Sequence, residues 1–215
     1  MRLTLTTFLT LDGVMQAPGG PSEDPSGGFD HGGWLVPYAD DDMGGAMVGW
    51  FAEADAFLLG RRTCEIFAAY WPRVTNPDDP IARQLNSLPK YVASRTLKDV
   101  AWKGSTLIQG ELAEQVAELK RRPGRELEVH GGGILAQTLM QHDLIDEYRL
   151  LTYPVVLGKG RRLFADGTKP AALRLLESKT TSAGVTLDVY ESAGEPTYGS
   201  FELDSDGSID LFEAP

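Results

Sequence analysis

Three short stretches carry residue types suited to an anion with more than one phosphate. In "AFLLGRRTCEIF", residues 56–67, an apolar run meets Gly60, and Arg61, Arg62 and Thr63 then open a helical pattern. A helix start already carries partial positive charge and unbonded N–H groups, so paired arginines there cost stability unless an anion sits against them. "KYVASRTL", residues 90–97, runs a strand pattern into Ser94 and Arg95. In "EVHGGGILAQTLM", residues 128–140, a strand breaks into Gly131, Gly132 and Gly133 before a helix begins. Glycines permit positive φ and let a ligand approach bare backbone, although this spacing is not G-x-G-x-x-G. Each stretch alone has a plainer reading, a solvated arginine or a tight turn. At the ends of successive strands, where α/β sheets bind ligands, they suit a ligand with several phosphates, such as a dinucleotide that carries a 2′-phosphate. The planar fork of arginine matches phosphate better than the point charge of lysine.

The elements that must position these residues follow from periodicity. Arg2–Thr10 alternates as a strand, and a Gly/Pro/Asp-rich loop follows, long enough to expect a functional lid. Met15 and Trp34 inside it mark a segment that docks. From Tyr38 a helical period sets in through Met43, Met47 and Phe51, with Asp40, Asp41 and Asp42 in the first turn, where carboxylates favour the dipole. Residues 56–59 form a strand and Thr63, Ile66, Phe67 and Tyr70 the inner face of the next helix. After a Pro-rich connection come strands at 90–94 and 105–109, then an amphipathic helix through Leu112, Val116 and Leu119 that Pro123-Gly124 ends. Strand 126–130, the helix after the glycines, one long strand over 145–158, and an antiparallel pair at 171–180 and 184–192 complete the pattern. Strands alternating with helices predict an α/β fold with a mixed, mostly parallel central sheet covered on both faces and an antiparallel edge. It spans residues 1–192 as one domain, followed by an acidic tail, 193–215, with a hairpin turn at Asp206-Gly207.

The totals narrow the partners. The 215 residues are 42% hydrophobic and 24% charged, with a net charge of −11, so neither nucleic acid nor an anionic membrane is the expected partner. Seven acids and no Lys or Arg lie between Glu191 and Pro215, which leaves the body nearer neutral and able to hold a local basic pocket. Cys64 is the only cysteine, which excludes an internal disulfide and suits a reducing compartment. The chain opens on a strand pattern rather than an apolar leader, and no window nears the ~18 apolar residues of a membrane span, so a cytoplasmic protein is expected. His31, His130 and His142 are scattered without acids at ligand spacing, so no metal is expected.

In order and spacing, the three stretches resemble the cofactor segments of the dihydrofolate-reductase-like fold, a three-layer α/β/α architecture. "LIDEYRLLTYPVVLGKGRRLF", residues 144–164, is closer to the reductase domain of the riboflavin pathway's bifunctional deaminase-reductase, and "TLDGVMQAPGG" and "GGWLVPYADDDM" are similar to stand-alone bacterial members of that superfamily. The resemblance covers residues 2–192 and implies NADPH as cofactor. It places Gly60, Arg61, Arg62 and Thr63 at the adenosine-side phosphates, and Ser94 and Arg95 at the 2′-phosphate and adenine. Gly131, Gly132 and Gly133 fall beside the pyrophosphate, where the family has a cis Gly-Gly bond, with Ile134 and Leu135 in the same segment. Leu11, Asp12 and Gly13 fall beside the nicotinamide. Asp40, after Trp34 and Pro37, resembles the carboxylate of folate reductases but lies one residue later than their spacing. Asp41 is an equal contender and Asp12 a second candidate, while capping of the helix is the plainer role for all three acids of that turn. Trp34 is the substrate-side aromatic, and Gly158–Arg162 a segment that could meet a substrate phosphate, although a solvated loop is its plainer reading. The zinc deaminase half has no counterpart, since H-x-E and P-C-x-x-C are both missing. The function implied is NADPH-dependent reduction of a small heterocycle or carbonyl compound, most like 5-amino-6-(5-phosphoribosylamino)uracil reductase. Folate reduction and a non-catalytic NADP-binding module are the alternatives. A homodimer joined along the strand Tyr148–Val156 is a further expectation.

Overall fold

Alternation of Leu and Thr along β1 (Arg2–Thr10) decides how the molecule is layered, because successive side chains point to opposite faces of a sheet. Leu3, Leu5 and Leu9 enter one hydrophobic core, and Phe8 packs against the other. The structure, a computed structural model, describes residues 1–201. Its strands are β1, β2 (Ala54–Gly60), β3 (Lys90–Ala93), β4 (Ser105–Ile108), β5 (Glu126–His130), β6 (Glu147–Tyr153), β7 (Leu173–Thr180) and β8 (Thr186–Ser192). They form one sheet in the order β4-β3-β2-β5-β1-β6-β8-β7. The first six in that order are parallel; β8 runs antiparallel to β6, and β7 to β8.

Helices cover both faces. α1 (Asp41–Glu53) buries Met47 and Phe51 against the core that also takes Cys64 of α2 (Arg61–Tyr70) and Leu85 of α3 (Pro80–Ser87). α4 (Leu112–Arg121) and α5 (Gly133–Gln141) bury Val116, Leu119, Leu135, Ala136 and Leu139 on the opposite face. Burial pushes the Cys64 thiol up, so it packs as a small apolar group. α3 lies in the stretch read as a Pro-rich connection. Its start is a capping signature: Asp79 accepts from the Ala82 amide at 2.8 Å, and Pro80 occupies the first turn, where its missing N–H costs nothing.

Two expectations are corrected. The long strand over 145–158 stops at Tyr153, because Pro154 lacks the amide that would continue the ladder. The stretch from Tyr148 to Val156 also cannot form a dimer edge, since β6 lies inside the sheet between β1 and β8; the edges are β4 and β7. The tail hairpin lies at residues outside those described. No helix among the described residues is long and apolar enough to cross a membrane.

At the N-terminal ends of β5, β1 and β6 sits an ionic network. Arg149, buried, donates from Nε to Glu147 at 2.8 Å and from Nη2 to Glu126 at 2.8 Å, while half-exposed Arg2 pairs with both carboxylates. The Arg149 guanidinium lies 5.5 Å from the Trp50 ring. Removing one partner strands buried charge, which costs about 3–5 kcal/mol. Arg149→Ala is therefore expected to lower unfolding free energy by about that amount in urea titrations. Replacing Arg149, Glu126 and Glu147 together by apolar residues of similar volume should recover most of it.

Candidate functional site

The C-terminal ends of β3, β2, β5 and β1 lie side by side. Each hands over to one of the ligand-compatible segments: Ser94-Arg95, Gly60–Thr63, Gly131–Gly133 and Leu11–Gly13. The segments after β2 and β5 touch. A Cβ built on Gly60 would lie 3.9 Å from Gly132 Cα, and Thr63 Oγ1 lies 3.8 Å from where a Cβ on Gly131 or on Gly132 would be. Gly131 and Gly132 turn into α5 through consecutive positive φ angles of 54° and 75°, a conformation that favours glycine. The cis Gly-Gly bond implied by the resemblance is not present: no peptide bond among the described residues is cis, and the paired left-handed glycines make the turn instead. Leu11, Ile134 and Val156 leave 65%, 75% and 65% of their surface exposed, an apolar rim on this same edge.

The arginines divide by role. Arg61 donates from Nε to Glu65 Oε1 and from Nη1 to Thr96 Oγ1, both at 2.7 Å, tying α2 to the loop after β3. Arg62 pairs with Asp24, which is buried and also paired with Arg161. Both guanidinium groups donate to Ser26 Oγ, at 3.1 Å from Arg62 and 2.9 Å from Arg161. Arg95 is exposed and has no hydrogen bond or ion pair among the described residues.

The segment 11–35 is a folded strap rather than an open loop. Gln16 organises it: its side-chain amide donates to the carbonyls of Asp24 (3.0 Å) and Ser26 (2.9 Å), and its Oε1 accepts from the Arg161 amide at 3.1 Å. The Gln16 carbonyl accepts from Trp34 Nε1 at 2.8 Å. Trp34 is buried, edge-on to Tyr153 with ring centroids 5.3 Å apart, so its indole packs into the core. A Cβ on Gly133 would come within 3.2 Å of Met15 Sδ, which places the strap against the glycine turn.

The candidate acids hold structure. Asp12 accepts from Thr10 Oγ1 at 2.6 Å and from the Leu157 and Gly158 amides at 3.2 and 2.9 Å, and it pairs with Arg162. Burial alone would raise its pKa, but the bonds from Thr10, Leu157 and Gly158 outweigh it and hold the carboxyl at about 2. Asp40 caps α1 through the Met43 amide at 2.9 Å, and it ties the β7–β8 turn through Ser182 Oγ (3.0 Å) and the Ala183 amide (2.9 Å). The Met43 bond above all, against burial, brings it to about 2. Asp41 stands in the first turn of the helix and is exposed. Asp24, Gln16 and Tyr153 were missed by sequence reasoning: the first two sit in a loop without period, and Tyr153 reads as an ordinary strand residue. The Tyr153 hydroxyl lies 2.9 Å from Met43 Sδ, and burial raises its pKa.

A mixed, mostly parallel sheet with an antiparallel edge, two helix starts meeting at a left-handed glycine turn, and a strap packed over that turn define an α/β domain of the dihydrofolate-reductase-like class. The chain belongs to the RibD C-terminal domain family, whose model matches residues 2–187. It is 31% identical over 195 residues to the protein YyaP of Bacillus subtilis, covering 90% of this chain and 96% of that one. Among solved structures it is similar to a Shewanella sp. PV-4 protein named for riboflavin biosynthesis, with a TM-score of 0.67, 23% identity, and 89% and 99% of the two chains covered. It also resembles the Thermotoga maritima diaminohydroxyphosphoribosylaminopyrimidine deaminase/5-amino-6-(5-phosphoribosylamino)uracil reductase, at a TM-score of 0.58 and 13% identity, covering 89% of this chain and 56% of that one. The fold is thus that of riboflavin-pathway reductase domains.

Acid titration tests the structural roles of Asp12 and Asp40. Both folded-state pKa values lie below the usual 3.8, so each carboxylate stabilises the fold above about pH 4, and that contribution is lost as pH falls through about 2. Asp12→Asn should melt lower than the parent at pH 7 and show a shallower loss of melting temperature between pH 4 and pH 2. Equal melting temperatures at pH 7 would contradict the role given to Asp12.

Proposed function

We propose that the protein is an NADPH-dependent reductase of a small heterocyclic or carbonyl compound, closest in class to the pyrimidine reductases of riboflavin synthesis. The observation that supports this reading is the run of four adjacent strand ends carrying Gly60–Thr63, Ser94-Arg95, Gly131–Gly133 and Leu11–Gly13. The residues fit the cofactor chemically. The left-handed turn at Gly131-Gly132 exposes backbone at the start of α5, where a pyrophosphate is favoured. Arg95, exposed and unpaired among the described residues, and the neighbouring Ser94 suit a 2′-phosphate. Arg61 and Thr63 would hold phosphate at the start of α2, and Leu11 and Gly13 would lie against the nicotinamide. NADPH, when bound, supplies the hydride. The protein orients the ring and excludes water at the apolar rim.

An Asp12 held ionised at neutral pH is an electrostatic anchor rather than a proton donor, and Asp40 spends its oxygens on the helix cap and the β7–β8 turn. This disfavours Asp40 as the acid of the folate-reductase alternative and leaves Asp41, exposed in the first turn of α1, as its candidate. The reading is tested by titrating the protein with NADPH and NADH, wild type against Arg95→Ala. NADPH should bind more tightly than NADH, and the variant should lose about 1–3 kcal/mol of NADPH binding while NADH is unchanged. Absence of binding to either nucleotide would refute the proposal. Tight NADPH binding without oxidation across pyrimidine, pterin and carbonyl substrates would leave a binding module in its place.

A further inference from the structure

Of the paired arginines that invited an anion, Arg62 already holds one, and it comes from the strap. Asp24 is 5% exposed, deeply buried for a carboxylate in a polar loop, and it receives Arg62 from the first turn of α2 and Arg161 from the loop after β6. Ser26 Oγ donates to Asp24 Oδ1 at 2.7 Å and accepts from both guanidinium groups. Gln16 fixes this stretch by binding the carbonyls of Asp24 and Ser26. Two guanidiniums and a hydroxyl converging on one carboxylate form a donor set that suits phosphate equally well.

We propose that Asp24 is a built-in competitor: it occupies the Arg62–Arg161 pair, and the phosphate of an arriving ligand displaces it, so that release of the strap is coupled to ligand binding. This rests on the reading that phosphates bind at the start of α2. A ligand that needs the arginines must first break the Asp24 pairing. Its apparent affinity is therefore reduced by the fraction of molecules in which the arginines are free. The same pairing lowers the cost of holding two like charges at a positive helix start when no ligand is present.

The test compares the full-length wild type with Asp24→Asn, titrating each with NADPH and with inorganic pyrophosphate by calorimetry. Removing the competitor should tighten binding of both probes about tenfold. NADPH binding that is unchanged or weaker in the variant, alongside clear binding to the wild type, would overturn the competitor while leaving the cofactor reading intact. Tighter pyrophosphate binding in the variant with no NADPH binding to either protein would support the competitor and overturn the cofactor. Binding of neither probe to either protein would overturn both. Should Asp24→Asn fail to fold, amide exchange over residues 14–35 of the wild type decides. Pyrophosphate should speed exchange there if it frees the strap, and unchanged or slower exchange would overturn the proposal.

Discussion

Parallel pairing leaves no freedom in where the strands finish. β3, β2, β5, β1 and β6 run side by side in one direction, so their C-terminal ends, the starts of α2 and α5, and the segments after β1 and β6 gather on one edge. Two helix starts there already present unbonded amides and partial positive charge. Arg61, Arg62, Arg161 and Arg162 are added to the same edge or its loops. The carboxylates that answer them are specific: Glu65 for Arg61, Asp24 for Arg62 and Arg161, and Asp12 for Arg162. The strap exists in its observed form because two of those carboxylates, Asp12 and Asp24, lie on it. Its hydrogen bonds through Gln16 are the means by which a Gly- and Pro-rich segment keeps them in place.

The opposite end of the same strands shows the complementary arrangement. Glu126 and Glu147 face the interior on β5 and β6, and Arg2 and Arg149 neutralise them. Between the two ends the sheet face under α1 stays polar: Glu128 Oε1 accepts from Thr6 at 3.0 Å, and His130 Nε2 lies 3.1 Å from it. The His130 ring is roofed by Phe51, with centroids 4.8 Å apart. Alternation forces this, because Leu127 and Val129 must enter the apolar core beneath α4 and α5, and Glu126, Glu128 and His130 then face the other way. Aromatic rings cover these polar groups, and Glu126 Oε2, Glu128 Oε2 and His130 Nε2 are left buried without a hydrogen-bond partner among the described residues.

The strand pattern and three of the four ligand-compatible segments were legible in the sequence because they are local: apolar runs meeting Gly60, Ser94 and Gly131, and alternation that binds Leu to one face; Leu11–Gly13 was placed by the resemblance alone. What escaped was non-local or masked by composition. Pro154 breaks an apolar run that looks continuous, and α3 hides among prolines although Asp79-Pro80 announces its start. The partners of the arginines could not be read, since Arg62, Asp24 and Arg161 come from three separated elements. Nor could the position of β6, because nothing in its own residues says that β8 returns beside it. The aspartates near the Trp34–Pro37 turn illustrate the same limit. Helix capping is visible from spacing, but the second grip of Asp40 on Ser182 and Ala183 depends on where a distant turn lands.

That second grip bears on chemistry. A reductase of this class must add a proton as well as a hydride to its substrate. A carboxyl serves as the acid only when its pKa lies near the working pH. Asp12 and Asp40 are both drawn to about 2 by bonds that favour the charged form. Tyr153 is shifted the other way by burial and is bonded to Met43. Under the reductase reading, none of these three groups is tuned to donate at neutral pH, which leaves exposed Asp41 and solvent at the open strand-end edge as the proton's sources. An edge that needs water for protonation and dryness for hydride transfer has to be covered for part of the cycle and open for the rest. The strap, held by the ion pairs of Asp12 and Asp24 as well as by the buried side chains of Val14, Met15, Ala17, Phe29 and Trp34, is the element of this fold that covers that edge.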